Sequence, residues 1–254
     1  MTTVPSFDLT GRTVWVTGAG KGLGRAVAVA AAHAGARVAA TARTAGDLEK
    51  LAAELAGVAV VDVVPAAVDD PDAVDAAAAT ILHRTGRIDG VVNAAGISPV
   101  FVRSERLSDA DWQRVLRVNL DGTFHVCRAA GRAMLEQGSG SIVNVTSVHA
   151  EVGAERIAAY AASKGAITAL SRTLAVEWAD RGVRVNCLAP GYVPTELSNG
   201  LLDSPRGEAV RARIPMGRTG HPHEVAGAAV FLLGDAAAYT TGSTITTDGG
   251  WTAW

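Results

Sequence analysis

Tyr160 and Lys164 stand four positions apart in YAASKGAITAL (160–170), a stretch otherwise made of small, apolar and hydroxylated residues. Alanine-rich sequence favours a helix, and residues i and i+4 share a helical face, so the phenol and the amine can meet. Free tyrosine titrates near pH ~10, and a cation within ~4–6 Å favours the phenolate, which would bring Tyr160 toward acid–base work near neutrality. A surface helix would show the same spacing, so the pair needs company. Residues 17–24, TGAGKGLG, supply some. The β-branched run RTVWVT (12–17) leads into this turn and a helical stretch follows it. A diphosphate placed there would meet backbone N–H groups and the positive end of a helix. The spacing is G-x-x-x-G-x-G on Gly18, Gly22 and Gly24, with Gly20, Lys21 and Leu23 between them. Glycine lets the backbone approach a phosphate with no Cβ in the way.

The elements that must position these groups alternate along the chain. β-branched runs at 12–17, 37–42, 60–68, 88–93, 141–146, 183–189 and 243–248 are separated by helical stretches at 22–34, 45–56, 71–85, 108–136, 156–180 and 222–233. This alternation predicts an α/β fold, one Rossmann-type domain over 1–254. Its doubly wound parallel sheet would have about seven strands and helices on both faces. Pro65 falls inside the third run, which suits an edge strand, and the order 3-2-1-4-5-6 puts the third strand at the edge. Segment 194–215, PTELSNGLLDSPRGEAVRARIP, has no clear element and is expected to be a substrate lid, since long connections inside a domain are usually functional or mobile.

Composition narrows the partners. A net charge of −2 lacks the basic excess that binds a phosphate backbone, so no nucleic acid is expected. Cys127 and Cys187 have no His or Cys nearby at ligand spacing and read as buried small hydrophobes, with no metal and no disulfide. MTTVPSFDLTGR lacks the basic start and apolar run of a leader, and the alanine-rich 26–42 is broken by His33, Gly35 and Arg37. A cytoplasmic protein without membrane association is the expectation.

Further segments fall in order: NAAG (93–96), VNL (118–120), IVNVTS ending at Ser147, Tyr160 thirteen residues on with Lys164, APGYVPT (189–195), and TTGSTITTDGGW (240–251). Together with TGAGKGLG they make the whole chain resemble the short-chain dehydrogenase/reductase family. The resemblance implies that Tyr160 exchanges a proton with the substrate oxygen, and that Lys164 lowers its pKa and holds the nicotinamide ribose. Ser147 would hydrogen-bond the same oxygen, and Asn119 would anchor a water continuing the proton path. Asp69 would meet the adenine amine, and Asn93, Ala94 and Gly96 would line the cofactor cleft. Pro190, Gly191, Val193 and Thr195 would face the nicotinamide. Tyr192, His149 and Glu151 fall where the substrate pocket is expected, and polar groups there suit a hydroxylated substrate.

NADP(H) is the implied cofactor. Members that use NAD carry an acid at the end of the second strand; here that position is Ala42, Arg43 follows, and Lys21 stands in the glycine turn, two cations suited to a 2′-phosphate. The implied activity interconverts a small ketone and a secondary alcohol, polyols and sugar acids included. Three alternatives stand beside it. A 3-oxoacyl-[acyl-carrier-protein] reductase would carry two docking arginines, of which Arg132 matches one and Val176 stands at the other. An epimerase or dehydratase relative usually has a longer C-terminal substrate region. A non-catalytic nucleotide-binding regulator would be free to lose the Asn, Ser, Tyr and Lys. Members of this length are commonly homotetramers; the stripe Ile167, Leu170, Leu174 and Trp178 fits a subunit contact or core packing alike. Trp251 and Trp254 would dock on a neighbouring subunit or close the pocket.

Overall fold

The strand Thr13–Thr17 (β1) is buried along its whole length, which requires a central place in a sheet covered on both faces. The computed structural model describes residues 6–198, 202 and 204–253, and it gives β1 that place. After β1 come Gly22–His33 (α1), Arg37–Thr41 (β2), Ala45–Glu54 (α2), Val61–Val63 (β3), Pro71–Thr85 (α3) and Gly90–Asn93 (β4). Asp109–Leu116 (α4) runs through a π-helical turn, Arg117–Asp121, into Gly122–Gln137 (α5). Gly140–Val145 (β5), Ala158–Trp178 (α6), Val183–Pro190 (β6), Pro205–Arg213 (α7), Pro222–Leu233 (α8) and Thr244–Thr247 (β7) complete the chain. All seven strands are parallel, in the order β3-β2-β1-β4-β5-β6-β7.

Alternation along β1 divides the core, because successive side chains leave a strand on opposite faces. Val14 and Val16 join Val27, Ala28 and Ala31 of α1 and Val225, Ala226 and Ala229 of α8. Trp15 faces the other way, among residues of α3 and α5, with its indole N–H donated to Thr41 Oγ1 at 2.9 Å. Ile167, Leu174 and Trp178 are buried within the chain itself and Leu170 packs on the same core, so the stripe of α6 is core packing.

Four expectations are corrected. The third strand stops at Val63, which leaves Pro65 beyond the edge strand rather than in it. The stretch 108–136 is two helices joined by the π-helical turn, and α6 begins at Ala158 and not at 156. Segment 194–215 contains a short turn, Glu196–Ser198, and α7; its residues 199–201 and 203 lie outside the described residues, as does Trp254. Among the described residues no helix is long and apolar enough to cross a membrane.

Candidate active site

The turn from β1 to α1 is a cradle that only glycine can build. Gly18 and Gly22 have φ of 68° and 55°, in the left-handed region, and a Cβ on Gly24 would lie 2.3 Å from the Gly18 carbonyl oxygen. No side chain caps the start of α1 and no acid sits in its first turn, so the orphan N–H groups and positive helix end stay available to an anion. From this turn a cleft of about 1080 Å³ runs along the carboxyl ends of the strands, more room than the ~300–1,000 Å³ typical of drug-sized ligands. A bare diphosphate cradle opening into an elongated cleft fits a dinucleotide.

The predicted cofactor residues mostly fall on this cleft. Gly18, Gly20, Lys21, Gly22, Leu23 and Gly24 form one end; Arg43 and Asp69 flank it. Ala94 and Gly96 line its floor, and Pro190, Gly191, Val193 and Thr195 the opposite side. Thr195 touches the glycine turn, since a Cβ on Gly22 would lie 3.4 Å from its side chain. Asn93 is the exception: it is buried beneath the cleft, where its Nδ2 donates to Asn144 Oδ1 at 2.9 Å, so it braces β4 against β5 and does not line the cavity. The two cations differ. Lys21 lies 3.1 Å from Glu196 and 3.7 Å from Asp47, and Glu196 above all raises its pKa, whereas Arg43 has no ion pair among the described residues and is exposed at the cleft edge.

At the other end Ser147, Tyr160 and Lys164 come together. Tyr160 sits in the first turn of α6 and Lys164 one turn later, with Nζ 5.7 Å from the phenol ring centre. Lys164 is buried, and its ammonium donates to the Val145 carbonyl at 2.8 Å, at the end of β5. Burial pushes its pKa down to about 8. Burial also raises Tyr160, and its hydrogen bond with Ser147 pulls the other way. The expected lowering of the phenol by Lys164 is therefore not what this arrangement gives: the ammonium is spent on a backbone carbonyl and is itself destabilised by desolvation. Asn119, in the π-helical turn, is buried with its amide fully engaged. Its Nδ2 donates to the Ile97 carbonyl at 3.0 Å and to Ser163 Oγ at 3.1 Å, and its Oδ1 accepts from Ile97 N–H at 2.8 Å. The side chain ties the segment after β4 to α6 rather than presenting donors to a water. Gly96 is the point of contact, since a Cβ there would lie 3.4 Å from Asn119 Oδ1 and 3.6 Å from Lys164 Nζ.

The remaining wall is built from side chains. His149 packs edge-on to Tyr192, which packs edge-on to Trp251, at 5.6 and 4.9 Å between ring centres, and Arg213 of α7 covers Trp251 at 4.5 Å. Trp251 is buried with Val148, Leu202, Val210 and Ile214, which places it behind the pocket wall. His149 Nδ1 lies 3.2 Å from the Val152 carbonyl, an arrangement that protonates Nδ1 and leaves Nε2 as acceptor; burial lowers its pKa, so it is neutral at pH 7. Glu151 is exposed and does not line the cleft. Glu155, Arg156, Phe101, Asp47 and Glu196 do, and none of them was read from the sequence.

Comparisons with known proteins agree with this geometry. A family model described as enoyl-(acyl carrier protein) reductase matches residues 18–252. The chain is 45 % identical over 252 residues to D-threitol dehydrogenase of Mycolicibacterium smegmatis, covering 97 % of this chain and 95 % of the relative. It is 44 % identical to the L-tagatose-forming galactitol 2-dehydrogenase of Cereibacter sphaeroides, with 98 % of both chains covered. A gluconate 5-dehydrogenase from Burkholderia cenocepacia, solved with NADP and tartrate, superposes with a TM-score of 0.94 at 37 % identity over 98 % of both chains. Matches of this extent leave one conclusion: the chain belongs to the short-chain dehydrogenase/reductase family and is an oxidoreductase acting on CH–OH groups.

Proposed function

We propose that the protein interconverts a secondary alcohol and a ketone on a small polyhydroxylated substrate, using NADP(H), with Tyr160 as the proton-exchanging group. The observation that carries this reading is the placement of Ser147, Tyr160 and Lys164 at one end of the cleft whose other end is the glycine cradle. A bound nicotinamide cofactor would exchange hydride with the substrate carbon. The chain then has to manage the oxygen. Ser147 Oγ and the Tyr160 hydroxyl can both hydrogen-bond it, and Tyr160 gives its proton to the oxygen as the ketone is reduced or takes one as the alcohol is oxidised. Lys164, titrating near 8, exchanges protons readily near neutrality and would also hold the cofactor ribose. Asn119 acts as a brace that fixes Ile97 against the helix carrying Tyr160.

NADP(H) is favoured by Ala42 at the end of the second strand, where an acid would otherwise grip a ribose hydroxyl, and by the exposed Arg43 beside it at the cleft edge. The Burkholderia relative was solved with NADP. The substrate class is supported by relatives that act on threitol, galactitol and gluconate, and by the neutral imidazole of His149 in the wall. A carrier-protein thioester is disfavoured: Val176 is an exposed apolar side chain, and Arg132 leans toward Asp75 at 3.8 Å. Residues 194–215 are proposed as the lid over the substrate. The proposed assembly is a cytoplasmic homotetramer, for which the exposed Phe124 and Val176 offer apolar contacts. The test is a screen of NADP reduction and NADPH oxidation over alditols, aldonates, cyclic ketones and 3-oxoacyl thioesters, repeated with NAD(H). Turnover of hydroxylated substrates with NADP(H) at least tenfold more efficient is expected; turnover confined to thioesters, or equal efficiency with NAD(H), would overturn it.

A further inference from the structure

Among the described residues, Arg156 alone combines a side chain with a positive φ, 67°. L-residues other than Asn and Asp rarely adopt this conformation, and the surrounding structure must hold it. The strain sits four residues before Tyr160, at the entry to α6, and it delivers the arginine to the cleft. There the guanidinium lies over the Phe101 ring at 5.6 Å. Its Nε is shut off from solvent with no hydrogen-bond partner among the described residues. Glu155 lines the same wall. A buried Nε–H normally meets a carboxylate or a carbonyl, because it has given up water for nothing otherwise. Arg128 has a similarly bare Nε over Phe124, at 5.5 Å, but lies away from the cleft. What sets Arg156 apart is the coincidence of a strained backbone, an unspent donor and a position beside the group proposed to exchange the proton.

We propose that Arg156 anchors a carboxylate of the substrate, so that the substrate is a polyhydroxy acid whose secondary alcohol meets Tyr160 while its acid group meets the guanidinium. This rests on the functional reading above and narrows it. The planar fork of arginine matches the two oxygens of a carboxylate. A phosphate dianion fits less well, because the cations Lys21 and Arg43 that would help neutralise its second charge stand at the far end of the cleft. The protein thereby differs from dehydrogenases of neutral alditols, which have no charge for such a residue to meet.

The test titrates D-gluconate, D-glucitol and glucitol 6-phosphate into the protein saturated with NADP+, following heat, for wild type, Arg156→Gly and Arg156→Lys. Glycine accepts a positive φ, so the first variant keeps the backbone relaxed, and thermal melting checks that it folds. Wild type is expected to bind gluconate at least tenfold more tightly than glucitol, Arg156→Gly to lose that preference, and Arg156→Lys to regain part of it. In turnover the ratio of KM for glucitol to KM for gluconate should collapse toward one in Arg156→Gly. Equal affinity for acid and alditol in wild type, no measurable gluconate binding, a preference that survives in Arg156→Gly, or tighter binding of the phosphate ester would each overturn the anchor. Alditol turnover without acid preference removes the anchor and leaves the function standing. Acid-selective binding with no turnover of any alcohol does the reverse.

Discussion

The two walls of the cleft are made differently. The first grows from the carboxyl ends of β1, β4 and β5, and backbone fixes it: the glycine turn closes on itself at Gly18 and Gly24, Lys164 hangs from the Val145 carbonyl, and Asn119 is clasped to both polar atoms of Ile97. The second wall, from 148–157 and the described residues of 192–213, is held by side chains touching side chains, His149 on Tyr192, Tyr192 on Trp251, Arg213 on Trp251. Groups able to do chemistry stand on the first and groups able to discriminate stand on the second. A sheet edge can hold a proton donor in place while a neighbouring loop changes its side chains, since the two share few backbone hydrogen bonds.

Substitutions on each wall can break this division. The largest effect is expected at Tyr160→Phe, which keeps the ring and deletes the proton: turnover should fall by roughly 10²–10⁴-fold, while NADPH binding followed by fluorescence stays within a few-fold. Turnover close to wild type would take the chemistry off the first wall. Next is the pH dependence of Lys164. Its folded pKa of about 8 lies below the ordinary 10.5, so between these values the unfolded chain binds more protons and stability rises with pH. Lys164→Met removes that titration, and groups common to both proteins cancel. Urea unfolding should show wild type gaining about 2 kcal/mol on the variant from pH 7 to 10. A flat difference would mean that the ammonium is solvated in the folded protein. The smallest effect is expected at Glu151→Gln on the outer surface, under twofold in KM and kcat; a tenfold rise in KM would extend the second wall to include it.

The same division decides what could be read from the sequence. α3 is bounded as expected because its ends carry local signals: Asp70 accepts the N–H groups of Asp72 and Ala73, Pro71 opens the first turn, and Gly86 closes the helix at φ 75°. For α8, Glu224 returns to the His221 N–H at 2.7 Å. The π-helical turn is not legible, because a one-residue shift of backbone hydrogen bonds leaves no mark in composition. The third strand reads too long in the sequence because its valines continue past the residues that pair with β2. At the site, residues placed by strand ends and by helical spacing were legible: Ser147, Tyr160, Lys164 and the glycines. Asn93 sits at such a strand end too, yet its amide turns inward to Asn144, a choice made by the buried neighbour and not by position. Glu151 and Arg156 sit in a loop, where no periodicity sets side-chain direction, and a positive φ on an arginine has no signature in sequence.

Heating should separate the two walls in time. Amides in central strands open only with the whole molecule, whereas side-chain contacts between loops open locally and at lower cost. Lys164 is tethered to β5, the strand between β4 and β6, so the proton-handling end of the cleft should last until the sheet melts. His149 is held by the Val152 carbonyl of its own loop, and the rings of Tyr192 and Trp251 pack on it in series, all three outside the strands of the sheet. Selectivity should thus be the heat-labile property of this enzyme and turnover the heat-resistant one: on warming it should grow careless about its substrate before it stops working.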